Sequence, residues 1–221
     1  MSAPGQAAPL PRGRHAASRA VVEESQRGRL LGAMAAVVAE KGYARTAVAD
    51  VISRAGVSRK SFYEHFANKE ECFLLAYDAG VDLTLGMIED ALAAEPDPLA
   101  ATLAGVQGYL RALAAHPAFA RTFLIEALGA GAAALDRRAA VHARFAAQLG
   151  AAHEAARVAL PTLPAVPDSR MRACVGAVDE LVVEHVRVAG PEGLEALTPA
   201  VVDVVVGLLV GHETFARLQE G

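Results

Sequence analysis

The sequence predicts an all-α protein, and three observations carry that prediction. Apolar residues make up 53% of the chain, largely as Ala, Leu and Val, while aromatics are only 5% and Trp is absent, a composition that favours helices over a β-sandwich. Apolar positions recur at helical spacing between clear breakers, and no stretch alternates as a strand would. With 221 residues the chain can bury a substantial core as one large domain or two modest ones.

The first twenty residues are rich in Pro, Gly and Ala, carry Arg12, Arg14 and Arg19, and hold no acid. They read as a mobile basic arm, either a plain disordered terminus or a segment able to lie in a minor groove. A first helix follows from Val22 to about Lys41, with Val22, Leu30, Leu31, Met34, Val37 and Val38 as its apolar stripe and Gly42 as its stop. Thr46 is placed to cap a short second helix whose inner face is Val48, Val51 and Ile52, ending at Gly56. Ser58 can cap a third helix starting at Arg59, and Asn68 a fourth, with Glu70 and Glu71 well placed in its first turn. Beyond residue 70, breaks at 95–98, 116–117, 129–131, 161–168 and 189–199 delimit five or six further Ala-rich helices. The last begins with Thr198 as its cap and Pro199 in the first helical position.

No apolar run reaches the roughly 18 residues of a membrane span, and the N-terminus lacks the apolar stretch of a secretory signal. A cytoplasmic location is expected, with no membrane partner. Cys72 and Cys174 are then expected to be buried thiols rather than a disulfide. Charge is divided unevenly along the chain. Residues 1–70 hold eleven Lys and Arg against six Asp and Glu, whereas residues 71–221 hold ten against nineteen. A small basic module attached to a larger acidic domain suggests a polyanion as the partner of the first alone.

The basic module has the order of a helix-turn-helix. Gly56 can take the left-handed conformation that ends a helix, Val57 can drop into the core, and Ser58 starts the next helix. In that third helix Phe62 and Phe66 lie four apart and face inward, leaving Arg59, Lys60, Ser61, Tyr63, Glu64 and His65 on the outer and flanking faces. Arg59 and Lys60 sit in the first turn, where either could donate to guanine O6 and N7 or to phosphate. Ser61 could meet a base edge, the hydroxyls of Thr46 and Tyr63 suit phosphate oxygens, and Lys69 would flank the groove as a further phosphate contact.

The run "TAVADVISRAGVSRKSFYEHFANKEECFLLAY", residues 46–77, resembles the helix-turn-helix signature of TetR-type transcriptional regulators, through its AGVS turn, its FY-x-HF recognition helix and the NKE that follows. The resemblance implies a homodimeric, ligand-responsive regulator, most often a repressor, that needs no cofactor. Its domains would be a flexible arm (1–20), a helix-turn-helix DNA-binding domain (21–68) and an effector-binding and dimerisation domain (69–221). Family DNA contacts carry over to Thr46, Ser58, Arg59, Lys60, Ser61, Tyr63, His65 and Lys69, and the DNA partner is a near-palindromic double-stranded operator. Three positions depart from the family pattern. Ile52 stands where a small Ala is frequent, Lys60 where Gly is, and Glu64 where a polar or aromatic residue is usual. Lys60 adds a cation, and Glu64 could accept from cytosine N4 or balance Arg59 or Lys60.

In the acidic part, residues 169–188 and 199–218 are dense in Val and Leu, and the second is apolar nearly all round in its middle. Such a helix is either a central core helix or covered by a second subunit. The resemblance favours a dimer through the last two helices, with Gly207 and Gly211 allowing close approach and the two recognition helices about 34 Å apart. An unidentified small apolar or amphipathic effector would lie between the middle helices, with Leu83, Met87, Tyr109, Phe123, Phe145 and Met171 as candidate lining. Catalytic and metal sites are not expected. Glu180, Glu184, His185, His142 and His153 supply ligand chemistry, yet no HExxH, nucleophile elbow or phosphate loop accompanies them, and Arg172 and Arg187 offer them charge partners.

Overall fold

The computed structural model describes the backbone of residues 14–211 and the side chains of 24–211 apart from that of Leu99. Among the described residues the chain is built of nine α-helices with two 3-10 turns and no strand. The helices are α1 (Arg14–Lys41), α2 (Val48–Ala55), α3 (Arg59–His65), α4 (Lys69–Ala93), α5 (Pro98–Ala115) and α6 (Pro117–Leu124). A 3-10 turn at Glu126–Gly129 precedes α7 (Ala132–Ala159) and α8 (Asp168–Ala189), and another at Leu194–Leu197 leads into α9 (Thr198–Leu209).

The first helix begins at Arg14, so the arm expected over 1–20 loses its last seven residues to α1; residues 1–13 lie outside the described residues. Leu30, Leu31, Met34, Val37 and Val38 form its buried stripe as the periodicity required. The expected extension of the last helix to 218 also lies outside the described residues.

The caps decide how α2, α3 and α4 meet. Gly56 adopts φ 65° and ψ 39°, and the next N–H, that of Val57, reaches back to the Ile52 carbonyl at 3.2 Å. A side chain at Gly56 would resist that left-handed turn. Ser58 Oγ then accepts the Ser61 N–H at 3.0 Å, and Asn68 Oδ1 accepts the Glu71 N–H at 2.9 Å, as expected of two N-caps.

Two expected caps are replaced. Ala47, not Thr46, precedes α2, and its N–H donates to Asp50 Oδ2 at 2.9 Å. Thr46 is buried and its hydroxyl donates to the Gly42 carbonyl at 2.9 Å, closing the turn after α1. Thr198 is likewise inside α9 instead of capping it, because the preceding 3-10 turn runs straight into the helix and the Thr198 hydroxyl bonds the Glu195 carbonyl.

The core has two parts. One joins α1, α2 and α3 to the first half of α4 and to α6, around Met34, Phe62, Phe66, Phe73 and Phe123. The other joins α5, α8 and α9 around Leu110, Cys174, Val182 and Val201. Cys72 and Cys174 are both buried free thiols, one in each part. Burial pushes the Cys72 thiol up to about 12 and that of Cys174 to about 11, so neither is a ready nucleophile.

Candidate DNA-binding surface and ligand cavity

The third helix is anchored by Phe62 and Phe66, both essentially fully buried, with ring centroids 5.4 Å apart. That anchoring turns Arg59, Lys60, Tyr63 and Glu64 outward. The Arg59 guanidinium lies 5.6 Å from the Tyr63 ring centroid, and Lys60 Nζ stands 3.6 Å from Glu64 Oε1 one turn on. Both are exposed contacts that a polyanion could replace at little cost. Two other cations of the module are engaged in ion pairs: Arg54 with Glu40 and Lys41 with Asp50. Arg59 and Lys60 project at the start of α3, beside the Ser58 hydroxyl and the exposed Tyr63. His65 is half-buried at the far end, its ring against Phe66.

Three expected DNA contacts are turned to other work. Thr46 is held inside by its bond to Gly42. Ser61 is buried against α1, where its hydroxyl donates to Gln26 Oε1 at 2.7 Å, so it ties α3 to α1 instead of facing a base. The Lys69 ammonium donates to the carbonyls of Tyr43 at 2.9 Å and Thr46 at 3.0 Å and lies 4.1 Å from the Tyr43 ring centroid. It clamps the α1–α2 turn to the start of α4. Sequence spacing placed Ser61 and Lys69 on the right helices, but their partners lie 23 or more residues away, where no local pattern reaches.

Behind the module, α4, α5, α7, α8 and α9 enclose a cavity of about 510 Å³, within the range of small-molecule sites. On α4 its lining runs through Tyr77, Val81, Thr84, Ile88 and Leu92, spaced for one helical face. That face spans about 22 Å at 1.5 Å per residue, which makes the cavity long. Tyr109, Phe123 and Phe145 line it as expected. Leu83, Met87 and Met171 do not. Leu83 and Met87 sit one position off the lining register of α4: Leu83 is 48% exposed, and the Met87 carbonyl is covered by the close approach of Gly108 on α5. Met171 is buried against Gly150, where α8 meets α7.

Polar groups gather at the end of the cavity nearest the DNA-binding module. His142 of α7 and Asp179 of α8 line it there, with Tyr77 and Tyr109. Asp179 is paired to Arg138, both side chains being largely buried. Burial raises the Tyr77 hydroxyl to about 12 and raises that of Tyr109 further, each felt also by the Arg138 and Asp179 charges, so both phenols stay protonated donors. Local spacing does not reveal the pairing in this cluster, because Arg138 and Asp179 are 41 residues apart. Among the described residues no group of three or more His, Cys, Asp or Glu is arranged to hold a metal ion. Glu184 instead pairs with Arg187, and His153 Nε2 meets the Pro164 carbonyl at 2.9 Å.

Besides α4, whose first half lies in the core of the DNA-binding module, α6 joins that module to the cavity. Phe119, Phe123 and Leu124 of α6 line the cavity, and on the other side of α6 the Thr122 hydroxyl donates to the Ala35 carbonyl of α1 at 2.7 Å. Just beyond, Glu126 Oε2 accepts the Tyr43 N–H at 3.0 Å. Gly42 has φ 81° and a Cβ there would fall 3.0 Å from the same carboxylate oxygen, so a larger residue would strain the turn and crowd Glu126 together.

The sequence pattern of "Bacterial regulatory proteins, tetR family" matches residues 30–76, from within α1 into α4. Among curated proteins, the HTH-type transcriptional activator FasR of Mycolicibacterium smegmatis is 30% identical over 86 residues, 39% of each chain. The HTH-type transcriptional repressor KstR2 of Mycobacterium tuberculosis is 49% identical over 47 residues, 21% of this chain and 24% of its own. The matched stretches thus span well under half of either relative. Among solved structures, the fatty acid degradation regulator FadR from Bacillus halodurans has a TM-score of 0.74 at 19% identity, covering 82% of this chain and 95% of that one. FadR from Bacillus subtilis in complex with stearoyl-CoA has a TM-score of 0.71 at 17% identity, covering 83% and 97%. These likenesses extend the shared helical fold over nearly the whole described chain. This chain thus carries the sequence pattern of bacterial tetR-family regulatory proteins on α1 to α4, with a helical architecture behind it that these solved structures share.

Proposed function

We propose that the protein is a ligand-responsive transcriptional regulator that acts as a homodimer, inserting α3 of each subunit into successive major grooves of a near-palindromic operator. Arg59, Lys60 and Tyr63 would make the contacts, with Ser58 and the N–H groups beginning α3 on phosphate. His65, from its half-buried place, would contribute at the rim. The observation that carries the reading is α6, which has the cavity on one face and α1 and the Tyr43 turn on the other. A ligand that reshapes the cavity can thereby shift the DNA-binding module. We take the effector to be a small apolar or amphipathic molecule, because the lining is mostly aliphatic and aromatic. FadR of Bacillus subtilis, which shares the fold, was solved with stearoyl-CoA, and the length of the present cavity is compatible with an equally elongated ligand.

Repression is the simpler output, since occupancy of the operator alone blocks other proteins, whereas activation needs a further contact surface. Effector binding would favour a conformer whose two α3 helices no longer match both half-sites. Dimerisation through α8 and α9 is supported by their remaining apolar exposure, including Val188, 70% exposed. Selection from a randomised duplex library tests the reading. A two-fold symmetric site with half-site centres one helical turn apart is the expected product, and no enrichment over random sequence would sink it.

A further inference from the structure

The polar end of the cavity holds more donors than the protein itself satisfies. Arg138 Nη1 and His142 Nε2 are both fully buried and both lack a hydrogen-bond partner, and they belong to one cluster. Arg138 pairs with Asp179 through its other nitrogen, Nη2. His142 Nε2 lies 3.5 Å from Asp179 Oδ1, too long and too poorly directed for a hydrogen bond. Native proteins rarely leave two such atoms together without something to meet them. His142 and Asp179 face the cavity, and the Tyr109 phenol stands beside them. The rest of the lining on α4 and α7 is mostly apolar, and its polar members Thr84, Gln148 and His153 are already bonded to the carbonyls of Gly80, Leu85 and Pro164.

We infer that His142 and Asp179, the latter held by Arg138, form a head-group subsite, which receives the neutral, hydrogen-bond-accepting end of an elongated apolar effector, a carbonyl or a hydroxyl. The inference rests on the cavity being the effector site. Charge selects the class of head. Arg138 and Asp179 cancel one another, so a carboxylate entering here meets the Asp179 carboxylate and a quaternary ammonium meets the Arg138 guanidinium. A carbonyl oxygen or a hydroxyl needs neither charge displaced, and accepts from His142 or Tyr109; a hydroxyl can in addition donate to Asp179. The tail then extends along α4 and α7 toward Glu95 and Ala159. The subsite lies at the end shared with Tyr77, Phe123 and Val141, which belong to the core built around the DNA-binding module. The head therefore sits next to α6.

The full chain can be titrated with N-phenyl-1-naphthylamine, an uncharged fluorophore that reports occupancy of an apolar cavity whatever its polar end prefers. Displacement is then compared for four probes of like tail length: 1-decanol, 2-dodecanone, decanoate and decyltrimethylammonium. The alcohol and ketone are expected to displace the dye about tenfold more tightly than either charged probe, the worth of one or two well-made hydrogen bonds. His142→Leu should reduce that preference several-fold without loss of dye binding. The paired change Arg138→Met with Asp179→Leu, which leaves no uncompensated buried charge, should do the same and keeps the test valid if the single variant folds poorly. Dye binding with equal displacement by all four probes would overturn the subsite, assign the unpartnered atoms to bound water, and leave the cavity standing. Failure of wild type to bind the dye or any probe would remove the cavity as an effector site and the subsite with it.

Discussion

Arg59 and Ser61 lie two residues apart on α3 and face different worlds. Arg59 projects beside Tyr63, while Ser61 is spent on Gln26 of α1. Replacing Arg59 or Lys60 by Ala is expected to weaken operator binding by about 1–3 kcal/mol where the side chain reads a base, and to lower the salt slope by about one where it meets phosphate. Binding isotherms on the selected site at several salt concentrations distinguish the two. Ser61→Ala should instead lower folding stability by about 1 kcal/mol and leave base preference at every position unchanged. A shift in preferred sequence would mean that Ser61 reads DNA after all. The contrast also marks what a sequence can convey at this scale. Ser58, Gly56 and Asn68 were legible because a cap or a left-handed turn depends on neighbours three to five residues away. Ser61 and Lys69 were not, because their polar atoms are claimed by groups brought near only when α1 folds across the module.

Among the elements, α6 is short, begins at Pro117 and reaches both halves of the molecule. The 3-10 turn just after it holds the α1–α2 turn through the Glu126 carboxylate on the Tyr43 N–H. Glu126→Ala frees that amide, and the turn it holds also receives Lys69. Hydrogen exchange is expected to speed up at Tyr43 and its neighbours while the α5 and α8 amides stay protected; unchanged exchange at Tyr43 would show that the carboxylate does not hold the turn. The helix order of this domain was legible from its Pro and Gly breaks, and three of six lining residues were found because they are large aromatics on inward faces. Leu83, Met87 and Met171 lie outside the lining. Leu83 and Met87 lie about 100° round α4 from the cavity face, and which face of an Ala-rich helix meets a void depends on where the neighbouring helices leave a gap.

For the whole molecule, stability at high pH is set partly by groups that folding keeps protonated. Cys72 rises from 9.0 to about 12 and Tyr77 from 10.0 to about 12, both mainly by burial. Between the ordinary and raised values the folded chain holds protons that the unfolded chain has released, so stability falls as pH climbs. The urea midpoint should therefore be steady up to about pH 9 and decline steadily above it, and Cys72→Ser should shallow that decline. Charge is also organised at this scale, with an excess of cations in the first seventy residues and of acids in the rest. Only the first part is suited to meet DNA, and the acidic domain opposes non-specific wrapping. The most direct measurement is fluorescence anisotropy of the purified protein on DNA upstream of its own coding region against a scrambled duplex, across a salt series. The account predicts tight binding to the upstream duplex, one dimer per site, with affinity falling steeply as salt rises and the scrambled duplex bound far more weakly. No binding to either duplex at low salt would contradict it.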